Sequence, residues 1–414
     1  MTAATGGSTG GTARWRHLGV SLVGLVAACA VQNGLPFLTV ALREEGLSLA
    51  AIGLLVSAPT AGLVLSLLAW GAAADRYGER VVLSAGLGVA AAAMTGAALA
   101  DTPVATGLWL LLAGAGSASV HAASGRLVLG WFPASQRGLA MGVRQAGQPI
   151  GVGLAAFALP RLAEDGPGTA FAALAAGCAV TAVLVGALVR DPARPEPAPG
   201  APRAASPYRS PVLWRVHAAS TLLVVPQFVV AAFSFDFLVQ QVGWSTAGAG
   251  TLLAVTQIGG AAARLGAGAW SDRLGSRVRP LRLVSVAVAA VVAVLAVVAV
   301  LTPDVLAPAA VAGAVVCSAV VTVSPNGIAF TSVAEQAGSA WAGRALGAHN
   351  TAQNLSAALT VPLAALLVDS GPGYPPAFAA GAVAAALAVG VVPGRAAEAS
   401  SRGAPREADP ATSR

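Results

Sequence analysis

Apolar residues in this chain come in runs of about 20, the length that crosses a hydrocarbon core of about 30 Å as a helix rising about 1.5 Å per residue. No other feature limits the fold as sharply. Before the middle of the chain the runs fall at about 18–42, 50–73, 81–100, 107–131, 139–160 and 169–189. After it they fall at about 214–239, 247–270, 283–301, 306–332, 343–367 and 376–393. Charged residues make up only 10% of the chain, against about 25% in a soluble domain whose surface faces water. The expected fold class is therefore an all-α integral membrane protein of twelve transmembrane helices in two six-helix halves.

The domain plan follows from where the polar residues collect. Residues 1–17 form an N-terminal tail, 18–189 the first half, 190–213 a linker, 214–393 the second half and 394–414 a C-terminal tail. The linker carries Pro192, Pro195, Pro197, Pro199, Pro202, Pro207 and Pro211 among charges, the composition of an extended, solvated connection. With both termini taken as cytoplasmic, nineteen arginines fall on the cytoplasmic side and only Arg43 and Arg161 on the other. That asymmetry sets the orientation by the positive-inside rule, and a missed or invented span would have scrambled it. Spacing of the arginines between apolar runs also assigns the net charge of +7 to the membrane pattern rather than to nucleic acid.

Cys29, Cys178 and Cys317 all lie in apolar runs, with no metal-ligand spacing, and are expected to be buried small hydrophobes. Val26-Ala-Ala-Cys29 looks like a lipoprotein processing site. The apolar run continues through Leu42, however, so the segment is read as a first span.

Short motifs recur between the halves. Gly71-Ala-Ala-Ala-Asp75-Arg76-Tyr-Gly78-Glu-Arg80 follows span two, and Gly268-Ala-Trp-Ser-Asp272-Arg273-Leu-Gly275-Ser-Arg277 follows span eight, 197 residues on. Gly138-Leu-Ala-Met-Gly142-Val-Arg144-Gln145-Ala-Gly147-Gln148 opens span five, and Gly343-Arg-Ala-Leu-Gly347-Ala-His349-Asn350-Thr-Ala352-Gln353 opens span eleven, 205 residues on. This is a parallel repeat about an axis along the membrane normal. With Gly-x-x-x-Asp-Arg-x-Gly-x-Arg between spans two and three and a weaker copy between spans eight and nine, the chain resembles the major facilitator superfamily from about Arg14 to Gly394. The resemblance implies an alternating-access transporter. It also implies a conformational role for the loop residues Gly71, Asp75, Arg76, Gly78, Arg80, Gly268, Asp272 and Arg273. The glycines permit close helix approach, and the aspartates sit where a carboxylate can meet a helix N-terminus. Glu79 and Ser276 stand where the family usually has a basic residue, which is expected to weaken the charge network.

Polar groups inside spans are costly and are functional candidates by default. Arg126 and Arg144 lie in spans four and five, which line the cavity in the superfamily. Two guanidiniums there would make an anion site. Arg264 is read as snorkelling to the interface. Arg144 and Gln148 share a face of span five beside Gln145, and His349, Asn350 and Gln353 answer them in span eleven. Gln32, Asn33, Gln227 and Asn326 complete the cavity candidates, with His121 as a second titratable group. Asp236, near the outer end of span seven, is the only carboxylate in a span, which argues against cationic drugs and leaves proton coupling without an obvious carrier.

The expectation is a secondary transporter in the cytoplasmic membrane that moves a small solute and works as a monomer in the lipid bilayer, with a lean toward an organic or inorganic anion. No cofactor or metal is called for, and the coupling ion is left open, a proton among the candidates. The Gly-Pro signature of drug antiporters is incomplete, because Val152 follows Gly151 and the proline is displaced to Pro149. Efflux of hydrophobic compounds is the alternative, and a non-transporting sensor or scaffold the more distant one. Enzyme constellations are absent, since His17, His121, His217 and His349 are scattered.

Overall fold

The structure is a computed structural model that describes residues 7–192, 205–301, 307–370 and 372–394. The linker prolines from Pro195 to Pro202 and the tails before residue 7 and after residue 394 lie outside the described residues.

Among the described residues twelve spans are built from helices, and there is no strand. They are α1 (Gly7–Asn33), α2 (Leu49–Tyr77), α3 (Glu79–Ala98), α4 (Pro103–Trp131), α5 (Arg137–Leu162) and α6 (Pro167–Leu188), then α7 (Pro211–Asp236), α8 (Thr246–Arg273), α9 (Val278–Leu301), α10 (Pro308–Thr322 continued by Pro325–Ala337), α11 (Ala342–Ser370) and α12 (Pro375–Val391). Local chemistry sets their starts. Pro103, Pro167, Pro211, Pro308 and Pro375 open helices where a missing N–H costs nothing. Ser48, Thr102 and Ser245 cap with side-chain oxygens that accept from the amides of Ala51, Ala105 and Gly248. Gly78, at φ +93°, makes the sharp turn from α2 into α3 that a residue with a Cβ would resist.

Two spans differ from the sequence expectation. The first run, expected to continue to residue 42, ends as a helix at Asn33 and passes through a 3-10 turn, Leu35–Leu38, into the short helix Thr39–Glu44. Pro36 supplies no N–H and fixes φ there. The tenth run breaks between Thr322 and Pro325, because Pro325 has no N–H to continue the helical ladder.

Among the described residues nine helices are long and apolar enough to cross a membrane, with Pro375–Val391 a shorter apolar one. The spans that miss that test are α5 and α8. They face each other across the two halves, as do α2 and α11. Their polarity belongs to the interface they form, not to lipid.

Candidate functional site

Two carboxylates close the linker face. Asp75, at the end of α2, accepts from the amides of Gly343 at 2.8 Å and Arg344 at 3.1 Å, the first turn of α11. Asp272, at the end of α8, accepts from the amides of Gly138 at 2.9 Å and Leu139 at 2.8 Å, the first turn of α5. Each places a negative charge on unpaired N–H groups at the positive end of a helix in the opposite half. Glycine makes the approach close enough. A Cβ at Gly71 would collide with the carbonyl oxygen of Gly343, and one at Gly268 with that of Gly138.

Arginines hold these carboxylates in turn. Arg126 is ion-paired with Asp75, and its Nε lies 2.6 Å from Glu79 Oε1. Arg126 therefore does not line the cavity as expected. It lies one level nearer the linker face, where two buried carboxylates draw it. Glu79 likewise corrects its expectation: it adds to the charge network rather than weakening it. In the second half the same role falls to Arg277, the repeat counterpart of Arg80, which lies 2.6 Å from Asp272 and 3.0 Å from Glu335. Burial works against the Arg277 charge, but the bonds to Glu335 and Asp272 outweigh it and raise its pKa. Arg80 reaches α6 of its own half, its Nε donating to the Gly186 carbonyl at 2.6 Å and its amide to Asp191 at 2.8 Å. Arg76 lies over the Tyr77 ring, and Arg273 ends α8 exposed.

Above this layer, between the halves, lies a cavity of about 260 Å³. It is lined by Gln32, Asn33, His121, Gln145, Gln148, Gln227, Asn326, Asn350 and Gln353, nine of the twelve side chains singled out from sequence. Sequence reasoning missed Leu25, Thr60, Phe228, Phe330 and Val361 in the same wall. An apolar residue facing a cavity has no sequence mark that separates it from one facing lipid. In the wall Asn326 donates to the Gln227 amide at 3.2 Å, and Gln32 donates to the buried Ser117 hydroxyl at 3.2 Å. No charged side chain lines this cavity among the described residues.

Charge sits directly behind the wall. Arg144 is 1% exposed and donates to Ser124 Oγ at 2.7 Å, the His121 carbonyl at 2.9 Å and Gln145 Oε1 at 2.6 Å. Its guanidinium lies 5.4 Å from the centre of the Phe330 ring. Arg264, expected to snorkel, is instead 5% exposed and donates to the Gln145 carbonyl at 3.0 Å and the Val323 carbonyl at 3.4 Å. Neither guanidinium meets a carboxylate among the described residues. Both converge on Gln145, whose side chain reaches the cavity. Buried cations met only by neutral groups leave a positive potential in the adjoining space.

His349 also departs from its expected place in the wall. It is fully buried behind it, with Nδ1 at 2.9 Å from His217 Nδ1 and Nε2 at 3.2 Å from Ser220 Oγ. Of the cysteines, Cys29 and Cys178 are buried as expected and Cys317 is exposed. Asp236 accepts from Tyr374 Oη at 2.6 Å, away from the cavity.

Comparison with known proteins gives this architecture a setting. The sequence model described as Major Facilitator Superfamily matches residues 20–361. An uncharacterized MFS-type transporter of Mycobacterium tuberculosis is 41% identical over 391 residues, covering 94% of this chain and 86% of that one. The probable nitrate/nitrite transporter NarK2 of the same species is 30% identical over 255 residues, 58% of this chain and 62% of that protein. The crystal structure of the E. coli fucose:proton symporter FucP superposes with a TM-score of 0.71 at 16% identity, covering 90% of this chain and 97% of that one.

Proposed function

This chain belongs to the major facilitator superfamily of membrane transporters, and on that premise we propose that it carries a small anion by alternating access. One observation supports the anion above the others. The cavity is walled by amide donors, holds no acidic side chain among the described residues, and is backed by the guanidiniums of Arg144 and Arg264. An anion entering it meets N–H groups and a positive potential, and charge-assisted bonds of this kind are about twice as strong as neutral ones. The partial likeness to the probable nitrate/nitrite transporter NarK2 supports the same class.

The loop carboxylates supply the moving part of this reading. Bonds from Asp75 to α11 and from Asp272 to α5 hold the linker face shut while the cavity is loaded from the opposite face. Breaking them lets the halves rock and exposes the cavity on the linker side. The excess of arginines on the linker side makes that side cytoplasmic. The protein works as a monomer, since the cavity is completed by the two halves of one chain.

The test is thermal stabilisation of the purified protein by nitrate, nitrite, small carboxylates and hydrophobic cations. Stabilisation by an anion that is lost in Arg144→Gln supports the reading. Stabilisation only by hydrophobic compounds would transfer the site to efflux, for which Phe228 and Phe330 would form the apolar wall.

A further inference from the structure

The internal repeat sets a permanent cation and a titratable one at corresponding places. Arg144 and His349 are 205 residues apart, the same offset that relates Gly142 to Gly347. The first half thus holds a guanidinium behind the cavity wall, and the second half holds an imidazole that faces another imidazole. We propose that His217 and His349 form a proton-binding site connected to the cavity, so that one proton is taken up with the anion. As a coupling site it rests on the transport reading above; as a proton site it does not.

The geometry of the pair limits what it can bind. The two Nδ1 atoms are 2.9 Å apart, a hydrogen-bond distance, so one proton already lies between them. A further proton turns one imidazole into an imidazolium whose Nδ1–H donates to the neutral partner, a charge-assisted bond. A third would set two cations against each other at that distance in a buried site, so the pair takes up one proton and no more.

A route for that proton runs to the cavity. His349 Nε2 lies 3.2 Å from Ser220 Oγ, and Gln353, in the cavity wall, donates to the same oxygen at 2.7 Å. When Gln353 donates to Ser220 and the Ser220 hydroxyl donates to His349 Nε2, the shared proton sits on His349 Nδ1 and His217 Nδ1 accepts it. The other end points toward the linker face. His217 Nε2 is buried without a hydrogen-bond partner among the described residues, as is Tyr208 Oη. The Tyr208 ring stacks on His217 with centroids 6.0 Å apart.

Among the described residues α2 brings one carboxylate, Asp75, which is engaged by Arg126 of α4 and by the first turn of α11, and α4 also brings His121. From the linker comes Tyr208. From α10 comes Phe330, edge-on to His349 at 4.7 Å, with Arg144 of α5 on the same ring. Glu335, further along α10, is engaged by Arg277, and α12, which packs on α7, carries no titratable side chain. A proton on the pair therefore adds a full positive charge behind the wall opposite Arg144. Anion and proton favour each other there, and the empty cavity disfavours the proton.

Nuclear magnetic resonance of the full chain, labelled with 15N-histidine in lipid nanodiscs, tests this without a substrate. The four histidines are assigned by removing each in turn. We expect His217 and His349 to move together in a single one-proton transition. His349→Gln should abolish the joint transition. Two separate transitions, or none while the protein stays folded, would overturn the proposal. Ser220→Ala, which leaves both imidazoles in place, should slow solvent exchange of the pair's proton at least tenfold, and unchanged exchange would remove the route to the cavity. An inert pair in a protein still stabilised by nitrate would end the proton site and leave the anion reading standing. Joint titration in a protein that no anion stabilises would do the reverse.

Discussion

Asp75 Oδ1 accepts from the Gly343 amide at 2.8 Å, across the boundary between the two halves of the chain. The same carboxylate oxygen is ion-paired with Arg126 of its own half. One side chain thus joins a contact that alternating access must break to a contact that it can keep. Asp272 repeats the relation with Gly138 and Arg277.

Asp75→Asn removes the charge from the start of α11 while keeping the size of the side chain. Hydrogen bonds to a charged group are worth about 1.5–3 kcal/mol, so the ratio of closed to open linker face should fall by about tenfold or more. Spin-label distances between α2 and α11 at that face should lengthen and turnover should drop, with solute affinity changed far less. An unchanged distance distribution would reduce the loop to a topological role.

The two arginines first grouped together should behave in opposite ways. Arg126→Gln takes a guanidinium from between two buried carboxylates, a change that typically costs about 3–5 kcal/mol. A large drop in melting temperature and in yield is expected. Arg144→Gln leaves no carboxylate behind, and the protein should fold. Thermal denaturation of the pair, side by side, checks this.

Arg144→Gln and Arg264→Gln should each weaken anion binding. Neither guanidinium touches the cavity, so what is lost is attraction through the wall, and a rise in Kd of about tenfold, about 1.4 kcal/mol, is expected. Titration calorimetry with the stabilising anion measures it directly. Native affinity in the Arg264 variant would assign that residue to structure alone.

Gly268→Val should prop the linker face apart, because its Cβ meets the Gly138 carbonyl at once. Overpacking of this kind costs about 1–3 kcal/mol, enough to shift the conformer ratio by roughly five- to a hundredfold. Cross-linking of cysteines placed on α5 and α8 at that face should fall accordingly, while Gly266→Val, where a Cβ meets open space, should leave it intact. Equal cross-linking in both variants would show that this contact does not govern closure.

Sequence alone determined the spans, their number, the repeat and the family, because each follows from local composition or from spacing along the chain. Length and hydropathy identify a helix in a bilayer without reference to its neighbours. Polar residues inside spans pointed to half of the cavity wall for the same reason: burying them in lipid is too costly. Depth and partner were decided only by the fold. Arg126, Arg144 and Arg264 look alike in sequence, each one guanidinium in an apolar run. The first meets Asp75 and Glu79, and the other two meet neutral groups and no carboxylate among the described residues. His217 and His349 are 132 residues apart and become one site only when α7 packs on α11. Electrostatic interaction depends on distance in space and on burial, and neither is written in the order of residues along the chain.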